Sequence, residues 1–234
     1  MLGLPDGVKA CLFDLDGVLT DTASVHAKAW KQAFDAALPD LPGDGDRSPF
    51  ALPEDYNAHV DGKPRADGVR DFLTARGFQP SEAEVQRIGD GKNKLVLELI
   101  DRDGVKVYDG SVAFVRAARE QGLRTAVVSS SANTRQVLEV TGLADLFEAR
   151  VDGVTIVEEH LKGKPAPDSF LRGAELLGVT PAQACVFEDA LAGVQAGRAG
   201  HFGHVVGVDR VGHRDGLLEH GADEVVDDLS ELLA

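Results

Sequence analysis

Two aspartates one residue apart are the first groups in this chain that could do chemistry together. Asp14 and Asp16 stand in Asp14-Leu15-Asp16-Gly17-Val18-Leu19-Thr20-Asp21-Thr22, directly after a short apolar run. In an extended segment alternate side chains share a face, so both carboxylates can reach one site while Leu15 turns into the core. One could attack an electrophile while the other moves protons. Asp and Gly are also ordinary turn residues, and the pair alone reads equally as a turn.

Three further clusters follow along the chain, two of them directly after apolar runs. Ser129-Ser130-Ser131-Ala132-Asn133 precedes a helical pattern. Hydroxyls and backbone amides at a helix start suit a phosphate oxygen, and Ser129, first off the strand, is the expected contact. Serine is also a favoured helix cap. Lys164 lies in Gly163-Lys164-Pro165-Ala166-Pro167-Asp168, where two prolines are expected to hold the backbone extended and Asp168 to cap the next helix. A solvated surface lysine is the plainer alternative. Glu188-Asp189 places two acids side by side after a buried run. Their repulsion would be relieved by Mg²⁺, which takes oxygen ligands, or they simply favour a helix N-terminus.

The elements that must position these groups can be read from periodicity. The runs Val8 to Phe13, Arg124 to Val128, Ala184 to Phe187, His204 to Val208 and Glu224 to Val226 read as buried strands. Helical patterns lie between them at Val112 to Gln121, Thr134 to Val140, Ser169 to Leu177 and Leu191 to Ala199. Strand and helix in alternation predict an α/β fold, a Rossmann-like doubly wound parallel sheet, with ligands at the carboxyl ends of the strands. From Ser24 to Gly104 the alternation stops, and amphipathic helices at Val25 to Leu38 and Glu82 to Ile100 predict a helical insert. The expected organisation is a core domain of 1–22 and 105–234, with a helical cap domain of 23–104 and a hinge at Thr22. The Pro- and Gly-rich stretch Pro39 to Pro53 is expected to be a mobile loop.

Composition narrows the partners. The 234 residues are 43% hydrophobic and 27% charged, an ordinary globular balance. A formal net charge of -15 argues against an extended surface for nucleic acid. No apolar run reaches the length of a membrane helix, and Asp6, Asp14 and Asp16 interrupt the first twenty residues, so a cytoplasmic protein without a membrane partner is expected. Cys11 and Cys185 sit in strand-like runs and are expected to be buried free thiols. Without a long coiled-coil pattern or an apolar stripe, a monomer is expected.

Taken in order, DLDGVLTDT, SSSAN, KPAPD and FEDALAG resemble the motifs of the haloacid dehalogenase superfamily of phosphotransferases, over almost the whole chain. That resemblance implies Asp14 as a nucleophile that becomes an aspartyl phosphate, Asp16 as general acid and base, and Ser129 and Lys164 at the phosphate. It implies Mg²⁺ held by Asp14, the Asp16 carbonyl and Asp189, with Glu188 ligating directly or through water. Ser131 and Asn133 are assigned to the substrate on the same basis.

The insert is similar to that of the β-phosphoglucomutase branch. His26 and Trp30 follow the first motif at that branch's spacing, Gly62-Lys63-Pro64-Arg65 resembles its sugar and distal-phosphate segment, and Lys92-Asn93 resembles a second pair. Arg65 suits a bidentate phosphate clamp better than a lysine would, or else it merely opens a helix after Pro64. Ala132, Ala190 and the long segment Asp152 to Leu161 depart from the branch's pattern. The implied activity is Mg²⁺-dependent interconversion of β-glucose 1-phosphate and glucose 6-phosphate, with a small phosphorylated sugar as partner. A sugar-phosphate phosphatase is the alternative, and a non-catalytic sugar-phosphate-binding regulator a third reading.

Overall fold

The computed structural model describes residues 2–233. In chain order the elements begin with β1 (Ala10–Phe13), α1 (Ala23–Ala37), α2 (Arg65–Ala75), α3 (Glu82–Asp103) and α4 (Asp109–Glu120). They continue with β2 (Arg124–Val128), α5 (Thr134–Thr141), β3 (Ala149–Val151), α6 (Gly153–Glu158) and α7 (Asp168–Leu176). Last come β4 (Ala184–Glu188), α8 (Leu191–Ala199), β5 (His204–Val208), α9 (Arg214–His220) and β6 (Glu224–Val226). The chain divides into two compact units, Met1–Asp21 with Val105–Ala234, and Thr22–Gly104. Thr22, the residue expected as a hinge, is buried at the start of the second unit, its carbonyl accepting the His26 N–H at 2.8 Å.

The first unit is an all-parallel sheet in the order β3-β2-β1-β4-β5-β6. Its central strands are mostly apolar, β1 and β4 buried along their whole length and β2 everywhere but at Arg124, as a sheet covered on both sides by helices requires. The strand order reverses between β1 and β4, which makes the carboxyl ends of those two strands the natural ligand crevice. Phe13 pairs with Phe187 across that boundary, the two rings stack at 4.6 Å, and the Asp14 N–H donates to the Phe187 carbonyl at 2.9 Å. The register therefore delivers Asp14 and Glu188 side by side. Cys11 and Cys185, also in register, are buried free thiols whose titration burial pushes far upward.

Three elements of this unit escape the sequence reading for physical reasons, the first being α6, a six-residue helix that buries only Ile156. β3 is a three-residue edge strand with an exposed arginine at its centre, too short and polar to show a period. α9 carries Arg, Asp, Glu and His over two turns and buries only Leu217.

The helical unit packs α1 against α3 and α2 around an aromatic cluster. Phe34 lies 5.0 Å from Trp30, 5.1 Å from Phe50 and 4.2 Å from Phe72, centroid to centroid. Ser81 and Glu84 form a capping box that sets the start of α3. The stretch Pro39 to Pro53 is anchored, contrary to the expectation of a mobile loop. Phe50 is buried in the core and its N–H donates to Asp35 at 2.7 Å, while Arg47 donates to the Leu41 and Gly43 carbonyls. Arg76 bridges Asp46 and Asp55 at 2.6 and 2.7 Å. One buried aromatic and two arginines outweigh the local Pro and Gly content. Among the described residues no helix is long and apolar enough to cross a membrane.

Candidate active site

Three of the four sequence clusters meet at the β1/β4 boundary around Lys164. Its ammonium is fully enclosed and donates to Asp14 Oδ1 at 2.5 Å, Glu188 Oε1 at 2.5 Å and the Val128 carbonyl at 3.2 Å. These three contacts use all three N–H bonds of the ammonium. Phe170 closes a further side, its ring centroid 4.8 Å from Nζ. Burial, the largest influence, disfavours the charged lysine, but the two carboxylates outweigh it and hold Lys164 protonated.

Lys164 is presented from a turn, not from an extended segment. The Ala166 N–H donates to the Gly163 carbonyl at 3.0 Å, and the Lys164-Pro165 peptide is cis. Asp168 does not cap α7 either. It is the helix's first residue, and its carboxylate accepts from the Lys162 N–H at 3.2 Å.

Asp14 is nearly enclosed, and burial pushes its carboxyl well above the usual range. Lys164 pulls it down, while Glu188 and Asp16 push it up again. Carboxylate oxygens of Asp14, Glu188 and Asp189 lie within 4.8 Å of one another, a set of hard oxygen donors of the kind Mg²⁺ takes. Leu15 is buried as expected, and the Asp16 carboxylate accepts from Ser129 Oγ at 3.3 Å. Ser129 Oγ also accepts the Ser131 N–H at 3.0 Å, and Ser131 Oγ the Asn133 N–H at 3.2 Å, so the serine cluster folds on its own hydroxyls before α5 starts.

Two glycines make room for the acids of the site. Gly17 has φ +87°, and a Cβ there would fall 1.7 Å from Asp189 Oδ2. A Cβ on Gly193 would fall 1.8 Å from Glu188 Oε1. A second glycine of α8, Gly197, has a different role from Gly193. Gly197 lets α8 lie close to the sheet, against Val205 and Val186, whereas Gly193 houses a carboxylate. Glu188 Oε2 accepts the Ala190 N–H at 2.9 Å, which fixes the carboxylate from the other side.

The helical unit holds its own polar residues in two groups. In the first, Lys92 is buried with Nζ 4.9 Å from the Trp30 ring centroid and 3.2 Å from His26 Nδ1. Asn93 follows on α3, half-buried. In the second, Gly62 turns the chain at φ +68°, and Lys63 pairs with Asp71 at 2.7 Å and donates to the Ala58 carbonyl at 3.2 Å. His59 Nδ1 lies 3.2 Å from the same Asp71 oxygen. Arg65, first residue of α2, extends over Gly89 with its guanidinium 3.6 Å from Asp90.

A family model described as haloacid dehalogenase-like hydrolase matches residues 8–201. A β-phosphoglucomutase of Mycobacterium tuberculosis is 56% identical over 247 aligned positions, covering 100% of this chain and 94% of that protein. A β-phosphoglucomutase of Bacillus subtilis is 32% identical, covering 96% and 92%. Among solved structures, a β-phosphoglucomutase from Clostridium difficile superposes with a TM-score of 0.77 at 27% identity, covering 96% of this chain and 93% of that one. The chain belongs to the haloacid dehalogenase-like hydrolase family of enzymes.

Proposed function

We propose that this enzyme is a Mg²⁺-dependent phosphomutase that interconverts β-glucose 1-phosphate and glucose 6-phosphate through a phosphoryl group carried on Asp14. The observation that carries this reading is the Asp14 carboxylate at the β1/β4 boundary, paired to Lys164 and close to Glu188 and Asp189. The names and full-length similarity of the relatives support the sugar phosphate.

Asp14, Glu188 and Asp189, with the Asp16 carbonyl, would hold the cation. Bound there, Mg²⁺ offsets the negative charge of a phosphate meeting these carboxylates. A carboxylate oxygen of Asp14 forms the new P–O bond as the bond to the leaving sugar oxygen breaks, and Asp16 supplies the proton that this oxygen takes up. In the second half Asp16 takes the proton of the incoming sugar hydroxyl, whose oxygen accepts the phosphoryl group and frees Asp14. Ser129 orients Asp16 in both halves. Lys164 keeps a positive charge beside Asp14 throughout, and one of its three N–H bonds can turn to a phosphate oxygen.

The helical unit serves as the cap in this reading, with His26, Trp30, Gly62, Lys63, Arg65, Lys92 and Asn93 recognising the sugar and its distal phosphate. Ser131 and Asn133 complete the phosphate loop. Phosphorus NMR with β-glucose 1-phosphate, Mg²⁺ and a catalytic amount of the bisphosphate tests the proposal. Glucose 6-phosphate should accumulate, and chelation or Asp14→Asn should stop it. Steady release of inorganic phosphate instead would make the enzyme a phosphatase, with water as the second acceptor.

A further inference from the structure

The loop that carries Asp16 and Gly17 is held from a strand end outside the four sequence clusters. After β5, Asp209 accepts the N–H groups of Val211, Gly212, His213 and Arg214 at 2.7–3.2 Å, which winds residues 209–214 into a fixed loop. Two side chains of that loop reach the site. His213 Nε2 donates to the Asp189 carbonyl at 2.9 Å. Arg210 Nε donates to the Gly17 carbonyl at 3.1 Å, with Nη2 3.5 Å from the Val18 carbonyl and 3.2 Å from Ser111 Oγ.

The remaining donors of Arg210 are committed elsewhere. Nη1 donates to the Asp227 carbonyl at 2.8 Å and to Asp228 at 2.9 Å, and the guanidinium carbon lies 3.8 Å from the Tyr108 ring centroid. Burial and the neighbouring Asp21 push the Tyr108 phenol up to about 12, so the ring remains neutral beneath the cation. The Tyr108 N–H itself donates to the Leu19 carbonyl at 3.0 Å. A planar guanidinium clamped on its face and at both ends has one orientation, so its bond to Gly17 fixes a position as well as supplying a contact.

That position matters because Gly17 and Asp189 touch with no room for a methyl group between them. A shift of the Gly17 backbone therefore changes the distance between the first loop and the Asp189 carboxylate. We infer that Arg210 is a positioning residue: it sets the first-motif loop against Asp189 and thereby shapes the divalent-cation site, with the β5 loop acting as a fifth strand-end segment. This rests on the cation site proposed above.

Two measurements on metal-free protein separate the parts of the inference. Hydrogen exchange of the amides from Asp16 to Thr20 reads the loop without any cation. Titration with Mn²⁺, followed by its paramagnetic resonance signal, reads the site. In Arg210→Ala those amides should exchange faster, and Mn²⁺ should bind about 10–100-fold more weakly, as is usual for loss of an outer-shell partner. In Arg210→Lys, which keeps the charge without the fork, folding should match the parent while the Mn²⁺ affinity stays low. Parental exchange and affinity in Arg210→Ala would overturn the inference, and so would full recovery of affinity by lysine. Faster exchange in Arg210→Ala, with no Mn²⁺ binding even by the parent, would overturn the cation site and leave Arg210 only as a loop anchor.

Discussion

Two lysines, each held by aspartate, show how differently the two units treat charge. Lys164 in the α/β unit is enclosed with Asp14 and Glu188, all three at or below 8% side-chain exposure. Lys63 in the helical unit pairs with Asp71 at a similar 2.7 Å, but the side chains are 20% and 45% exposed. Contact distance alone would rank them together. Water separates them: in the strand-end cluster each charge depends on the others, whereas the Lys63 pair is screened and can be rearranged. A buried, mutually dependent cluster suits groups that must hold one geometry through a reaction. A wet pair on a helix suits a side chain that exchanges partners with a ligand.

The sharpest way to break this contrast is to remove one lysine at a time. Lys164→Ala leaves two carboxylates buried without their cation and should destabilise the metal-free protein by about 3–5 kcal/mol in urea unfolding, besides abolishing turnover. A loss below about 1 kcal/mol would mean that the cluster opens to water. Arg65→Ala removes a charge-assisted contact proposed for the distal phosphate, worth about 1.5–3 kcal/mol. Steady-state kinetics should show turnover per KM falling on the order of 10- to 100-fold with thermal stability unchanged. An unaltered KM would assign Arg65 to the helix start alone.

Lys63→Ala should change stability by less than about 1 kcal/mol, because the pair is exposed. The finest test is the titration of Asp71. Partial burial raises its carboxyl, but the hydrogen bonds from Lys63 and His59 outweigh this and hold it below the ordinary range. A carboxyl with a lowered folded-state pKa stabilises the fold above the unfolded value of about 3.9 and loses that contribution as pH falls through the folded value. Carboxyl-carbon NMR should show Asp71 moving back up in Lys63→Ala, and acid unfolding between the two values should lose its Asp71-dependent part.

Legibility in the sequence followed burial. β2, β5, β6 and α8 begin and end where the apolar runs and glycines placed them, since each buries a continuous stripe. β3 and α9 did not announce themselves, since each is short and mostly polar. α2 starts at Arg65 and buries only Gly68, Val69, Phe72 and Leu73, so its period is faint beside Asp67, Arg70 and Asp71. At the site, Asp14, Asp16, Ser129, Glu188 and Asp189 could be named from type and order because each stands at the end of an apolar strand, whereas Lys164, which comes after α6, could be named only from its place in the order of the motifs. Arg210 and His213 could not, because an arginine and a histidine in a polar loop look like any surface residues until their partners, nearly two hundred and about two dozen residues away, are known.

The order of apolar runs, turns and acids along the chain was enough to determine the parallel sheet, the helical insert and the identity of the charged groups at the strand ends. Those are properties of local period and composition, which a linear string carries. Tertiary structure alone decided that Lys164 spends its three N–H bonds on Asp14, Glu188 and Val128, that Gly17 and Gly193 are spaces for carboxylates, and that the β5 loop grips the first motif. Each of these depends on which distant segments share a few ångströms, a distance set by strand register and helix packing and left unspecified by any single stretch of sequence.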